Sequence, residues 1–144
     1  MATKAKGGFG AKLYREDSPG SNTFSIVAEA KDFSGPARTH QTADVTNMDS
    51  PNGWVENIAL GIKEAGDLTF DCNLVDSDTS QANLIADLNS GTLRNWRLVY
   101  PSGAKRVAFS AYVASLGNSV PVKGAMTLSV TLKISGQVVT ETHP

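Results

Sequence analysis

Apolar and polar residues alternate along much of the chain, most regularly over residues 126–134. There Met126, Leu128, Val130, Leu132 and Ile134 interleave with Thr127, Ser129, Thr131 and Lys133. Helical side chains repeat every 3.6 residues, so this period of two predicts a strand with one buried face. The same signature recurs three times. Leu68, Phe70, Cys72 and Leu74 alternate with Asp67, Thr69, Asp71 and Asn73. Trp96, Leu98 and Tyr100 share one side of a strand at 95–100, and Val107, Phe109, Ala111 and Val113 share one side of a strand at 105–116. Residues 23–30 form a further expected strand, with Phe24, Ile26 and Ala28 on one side. Residues 54–62 are expected to be extended, although their period is ambiguous.

One helix is predicted, over about residues 79–89. Asp78 or Thr79 can accept hydrogen bonds from the first-turn N–H groups, and Gln81 sits where a capping box places it. Ala82, Leu84, Ile85 and Leu88 are the expected buried stripe, and Asn89-Ser90-Gly91 the stop. Turns fall at 64–67 and 101–103, and Gly117-Asn118 and Pro121 are expected to break the strand before them.

The remaining segments carry little core-forming material. Residues 1–22, rich in Gly, Lys and Ser, read as a flexible N-terminal arm with a short strand at 12–15. Residues 34–56 read as a long loop or projecting hairpin, polar apart from Val45, Met48 and the apolar pair Trp54-Val55 near its end. Segments this long without a core of their own are usually functional or order against a neighbour. Residues 137–144 read as a C-terminal tail, loose over its polar end at 141–144. The organisation is thus one domain at 23–136, mainly β: an antiparallel β-sandwich or half-barrel with one short flanking helix.

Composition adds a constraint on assembly. The net charge of the 144 residues is −1, but residues 41–90 hold nine acids against Lys63 alone, and residues 91–140 hold six bases and no acid. The fold can interleave these segments and cancel them, or it can leave a two-signed surface, which favours head-to-tail contact between copies. The single cysteine rules out an internal disulfide framework. No apolar run reaches the length of a membrane helix. The basic N-terminus lacks the apolar stretch of a secretory signal.

Candidate chemistry is sparse. His40 and His143 stand beside no nucleophile motif, and Cys72 lies on an apolar strand face, where burial disfavours the thiolate. One Cys and two remote His do not make a zinc site. Residues 76–87 begin like a calcium loop but place Gln81 where a Gly is needed and Asp87 where a Glu is needed; helix capping explains them better. Asp67 and Asp71 share one strand face about 7 Å apart without a visible reason for either to act as an acid. Trp96 with Arg94 and Arg97 hints at base stacking, but a core or interface Trp fits that strand better. No catalytic residue, cofactor or metal site is expected.

The order of these features resembles the major tail tube proteins of bacteriophages with long, non-contractile tails. The resemblance runs over residues 24–136: the strand at 24–30, the polar segment ending Asp44-Val45-Thr46-Asn47-Met48-Asp49-Ser50, and the strand Gly66-Asp67-Leu68-Thr69-Phe70. It continues through the short helix, then Asn95-Trp96-Arg97-Leu98-Val99-Tyr100-Pro101, the strand at 107–113, and the closing strand at 127–134 followed by Ser135-Gly136. What it implies is a structural virion subunit. Six copies would form a ring, and stacked rings would make a hollow tube conducting DNA out of the capsid, assembled in the host cytoplasm. Its partners would be other copies of itself and the tail's initiator, tape measure and terminator proteins, with DNA only in transit and no membrane. Contact elements in such proteins are an arm and a long loop. The matching candidates here are Phe9, Tyr14, Arg38, His40, Asp44, Met48 and Trp54. A channel must let DNA slide, so the face bearing Asp67, Thr69, Asp71 and Asn73 is the candidate lumen lining, with Lys133 its exception. The competing reading is a monomeric binding or adhesion module with Trp54 and Tyr14 exposed on loops.

Overall fold

The computed structural model describes residues 3, 7–18, 20–75, 77–101 and 103–143. Among the described residues, ten strands and one α-helix follow in the order β1 (Lys12–Glu16), β2 (Phe24–Ile26), β3 (Ala30–Ser34), β4 (Arg38–Asp44), β5 (Asn57–Ala65), β6 (Asp67–Asn73), α1 (Thr79–Ser90), β7 (Arg94–Val99), β8 (Lys105–Ser119), β9 (Thr127–Ile134) and β10 (Val139–Thr142). One large antiparallel sheet runs β2-β1-β7-β8-β9-β6-β3, with β10 added beside β8, and β4-β5 form a separate hairpin.

The connection between β2 and β3 shows how this sheet is shaped. They are its two edges, yet only Val27-Ala28-Glu29 separates them. Three linking residues span little more than about 14 Å even when extended, so the sheet must roll until its edges nearly meet. The linker bridges the seam. Val27 N–H donates to Leu13 O of β1 at 2.9 Å, and Asn73 N–H of β6 donates to Glu29 O at 3.2 Å. The result is mainly β and antiparallel with one flanking helix, as expected, and of the two expected architectures, sandwich and half-barrel, the rolled sheet is closer to the half-barrel.

Its interior is filled by the alternating apolar rows. Leu13, Leu68, Phe70, Cys72, Trp96, Leu98, Val107, Phe109, Ala111, Val113, Leu128, Val130, Leu132 and Ile134 belong to one buried cluster, with Leu84 of the helix. Trp96 is fully buried and its indole N–H reaches Ala111 O at 3.2 Å. The partner it needs is thus supplied by the neighbouring strand.

Several elements depart from the sequence expectations. The expected strand at 23–30 is interrupted, because Glu29 takes a positive φ of 61°; Val27 is the buried residue and Ile26 is exposed. The arm ends earlier than residue 22. Strand β1 pairs with both β2 and β7, and Leu13, Arg15 and Glu16 are buried. Strand β8 runs through Gly117 and Asn118 to Ser119, held by its ladder with β9. Glu141 and Thr142, expected to be loose, are in β10, which pairs with the first half of β8, Val139 opposite Ala108 and Thr142 opposite Lys105, while Pro144 lies outside the described residues. Residues 64–67 are not a hairpin turn, since β5 pairs with β4 while β6 pairs with β3 and β9.

The helix starts and stops as predicted, with Asp78 accepting from Gln81 N–H at 3.1 Å and Gly91 N–H bonding Asp87 O at 2.9 Å. Its buried face is different. Gln81, Leu84 and Asp87 point inward, while Ala82 and Ile85 are exposed. Gln81 earns its buried place by bridging Asn73 O (2.8 Å) and Val75 N–H (3.0 Å).

Candidate functional site: a projecting hairpin and a polar sheet face

The 34–56 segment is half of a hairpin whose strands are β4 and β5, paired from Arg38↔Ala65 at the base to Asp44↔Asn57 near the tip. Its waist is tight. Gly35 has φ 103°, and a Cβ there would lie 2.4 Å from Asp67 O. Gly66 N–H donates to Ala37 O at 2.6 Å, and a Cβ on Gly66 would meet the Ala37 Cβ at 3.2 Å. The chain enters and leaves the hairpin through this gap.

The tip is built by the Asp44–Ser50 wording itself. Asp44 Oδ1 accepts from Thr46 N–H (2.8 Å) and Thr46 hydroxyl (2.5 Å), forming an Asx turn. These two hydrogen bonds, the hydroxyl's first, hold the Asp44 carboxyl below its ordinary range. Thr46 Oγ1 accepts in turn from Glu56 N–H at 2.9 Å, tying the two sides of the neck. Asn47 Oδ1 accepts from Asp49 N–H at 2.8 Å, and Ser50 Oγ from Asn47 N–H at 3.0 Å. A short 3-10 turn, Pro51–Gly53, completes the loop.

The hairpin leaves apolar surface exposed. Met48 is fully exposed and Trp54 is 73% exposed; Val55, Ile58, Leu60 and Ile62 are also open to solvent. A single chain gives these side chains nothing to pack against, and contiguous patches of this kind mark interaction surfaces. Of the candidate contact residues, Arg38, His40, Asp44, Met48 and Trp54 all lie on this element and are exposed. His40 Nε2 accepts from Gly61 N–H at 3.2 Å across an irregularity in the ladder. Phe9 is fully exposed ahead of β1, whereas Tyr14 is half-buried between β2 and β7. Ile58, Leu60 and Ile62 were not among the candidate contact residues. The period of residues 54–62 is ambiguous in the sequence, and the tertiary placement shows these side chains exposed.

The candidate lumen residues do share a face, and it is wider than β6. Opposite Asp67, Thr69, Asp71 and Asn73 stand Lys133, Thr131, Ser129 and Thr127 of β9, and Lys31 of β3 stands opposite Asp71. Lys133 Nζ lies 3.4 Å from Asp67 Oδ1, and Ser129 hydroxyl donates to Asp71 Oδ1 at 3.0 Å. The face is therefore a charge-balanced polar sheet rather than an acidic one.

The features considered for chemistry have structural partners. Asp78 is the helix cap, Asp87 a buried ion-pair partner, and Asp76 lies outside the described residues. Arg94 is held by Asp87 at 2.7 Å and Trp96 is enclosed, so they form no stacking platform. Arg97 instead covers the Phe24 ring at 3.8 Å. Cys72 is buried, and burial pushes its thiol up to about 12. His143 meets Arg106 at 3.4 Å. Among the described residues no group of His, Cys, Asp or Glu could hold a metal ion, and no helix is long and apolar enough to cross a membrane.

A sequence model of the family described as lambda phage tail tube protein, TTP, matches residues 11–140, from the start of β1 to within β10. The chain belongs to the lambda phage tail tube protein family. This phage tail tube protein is a structural component of the virion and not an enzyme. No curated protein matches it by sequence. Solved structures match its fold. The tail of an empty gene transfer agent particle, refined with C6 symmetry, superposes with a TM-score of 0.76 at 18% identity, covering 94% of this chain and 98% of that one. A subunit of the anti-feeding prophage baseplate gives 0.75 at 12% identity, covering 98% and 97%. The SPP1 tail tube protein gives 0.72 at 14% identity, covering 92% and 77%.

Proposed function

We propose that this tail tube protein polymerises as stacked hexameric rings into the hollow tube of a long, non-contractile phage tail, and that the tube conducts DNA during ejection. The exposed apolar hairpin is the observation that carries this reading. It leaves the domain through a narrow waist and exposes Met48, Trp54, Ile58 and Ile62, which a monomer has no reason to keep bare. The six-fold symmetry of the gene transfer agent tail and the tubular SPP1 assembly support the same arrangement. The partners are further copies and the tail's initiator, tape measure and terminator proteins, met in the host cytoplasm.

In this reading the β6–β9 face lines the channel. Its hydroxyls, amide and paired charges offer a passing phosphate backbone no net cationic patch to bind. Electron microscopy of purified protein tests the assembly: rings or tubes are expected. A discrete monomer at every concentration and ionic strength, with no assembly on an initiator complex, would favour a binding module instead. Asp67→Lys with Asp71→Lys tests the lining. Tubes should form and ejection should slow; an unchanged ejection rate would show that this face does not line the channel.

A further inference from the structure

The hairpin is electrically two-ended. Residues 39–62 contain Asp44, Asp49 and Glu56 and no Lys or Arg. At its base the signs reverse. A groove of about 1070 Å³ opens between the hairpin base and the β9–β10 connection; Arg38 and Lys63 line it with Glu64 the lone carboxylate, together with Lys133, which also faces Asp67 at 3.4 Å, and His40, whose Nε2 accepts from Gly61 N–H. Its floor is apolar, from Ala37, Ala65, Ile134 and Val138. Glu64 is already engaged by the Gln41 amide at 3.0 Å, and Arg38 is anchored to Thr140 at 3.1 Å, which fixes its guanidinium at the groove.

From these features we infer that the groove is the receptor for the hairpin tip of a second copy of this chain, the acidic tip entering the basic groove in a head-to-tail contact. The inference rests on the tube reading above and names the surface that receives the hairpin. The tip cannot satisfy its own groove. From Arg38 in the groove to Asp44 at the tip is six steps along β4, about 20 Å at strand rise, and the ladder holds the hairpin extended. A contact between two different patches of the same chain is heterologous, and such contacts propagate into rings or filaments instead of closing as dimers. Complementary charge fixes the register, while Met48 and Trp54 supply apolar area for the groove floor.

Charge swapping in the full chain tests this. Lys63→Glu and Asp49→Lys should each raise the protein concentration needed for assembly by about tenfold or more at low salt. The double variant should return it to near the wild-type value, because each altered tip then meets an altered groove. Lys123→Glu, a charge change of the same sign outside the groove, should leave assembly unchanged. Both altered positions are exposed, so circular dichroism and melting should show a folded chain in each case. In assembled material, Asp49→Cys with Lys63→Cys should give a ladder of covalent oligomers with a bis-maleimide linker, Cys72 being buried. If wild-type rings or tubes form but the double variant is not rescued and no ladder appears, the receptor assignment is wrong and the tube reading stands. If the wild type never assembles, even on an initiator complex, both fall.

Discussion

Arg15 and Asp87, 72 residues apart in sequence, meet in a two-pronged ion pair beneath the helix: Nε to Oδ2 at 2.6 Å and Nη2 to Oδ1 at 2.9 Å. Both side chains are almost fully buried, and Arg94 Nε shares Oδ1 at 2.7 Å. The carboxylate thus fastens α1 to β1 and β7 at once. Asp87→Ala would leave Arg15 desolvated and unpaired. Stability should fall by about 3–5 kcal/mol, measured by urea unfolding. Arg15→Met together with Asp87→Met should recover much of that loss, because no fully buried charge is then uncompensated and Arg94 retains access to water and to Asp17 O at 3.1 Å.

Gly35 should not tolerate a side chain. Its φ of 103° is strained for an L residue, and the Cβ would collide with Asp67 O. Gly35→Ala should cost at least about 1–3 kcal/mol from backbone strain alone, read as a lower unfolding midpoint. Because the strain sits at the waist, limited proteolysis should cut between residues 34 and 66 before the rest of the domain.

Four strands were legible in the sequence for one reason: β6, β7, β8 and β9 each bury one face, so burial wrote itself as a period of two. The helix was legible at its ends because capping is local chemistry. Its buried face was not, since the hydrophobic stripe gave no hint that Gln81 and Asp87 would turn inward toward partners on other elements. Strand β1 was obscured for the same reason: Arg15 and Glu16 look like surface residues until Asp87, Asn95 and the 20–22 backbone are placed around them. Strand β10 was hidden by its polar composition, as its pairing with β8 is long-range. The contact element was half legible. Its polarity and length singled out residues 34–56, but the period of residues 54–62 is ambiguous, and only the tertiary placement reveals the apolar side chains of β5 as surface.

The Asp44 turn predicts a pH response confined to the hairpin tip. The Asp44 carboxyl is held below its ordinary range by the Thr46 hydroxyl and N–H. A depressed carboxyl supports the folded loop at and above its unfolded value and loses that support as pH falls through the lower, folded one. The Thr46 amide resonance should therefore titrate with a midpoint below 3.8, the ordinary value for the group. Asp44→Ala should abolish that titration while leaving resonances of the β6–β9 face in place.

Cys72 supplies a response of opposite sign at the alkaline end. Its thiol is packed among Leu68, Phe70, Leu128 and Val130 in the core cluster, and desolvation, with the nearby Asp71, Asp78 and Glu29 charges, raises it from 9.0 to about 12. The folded state therefore keeps its proton where the unfolded state has lost it. With fewer protons bound to the unfolded chain, unfolding becomes easier as pH rises from about 9 toward 12, at a slope approaching about 1.4 kcal/mol per pH unit. Cys72→Ala should flatten that part of the stability curve, at the cost of a small cavity that lowers stability at all pH values. In the native protein at pH 8, alkylation by iodoacetamide should proceed only through global opening, with a rate that rises in step with urea. Rapid labelling without urea would mean that β6 and β9 separate locally, and would place the weakest seam of the half-barrel at the Cys72–Leu128 pair.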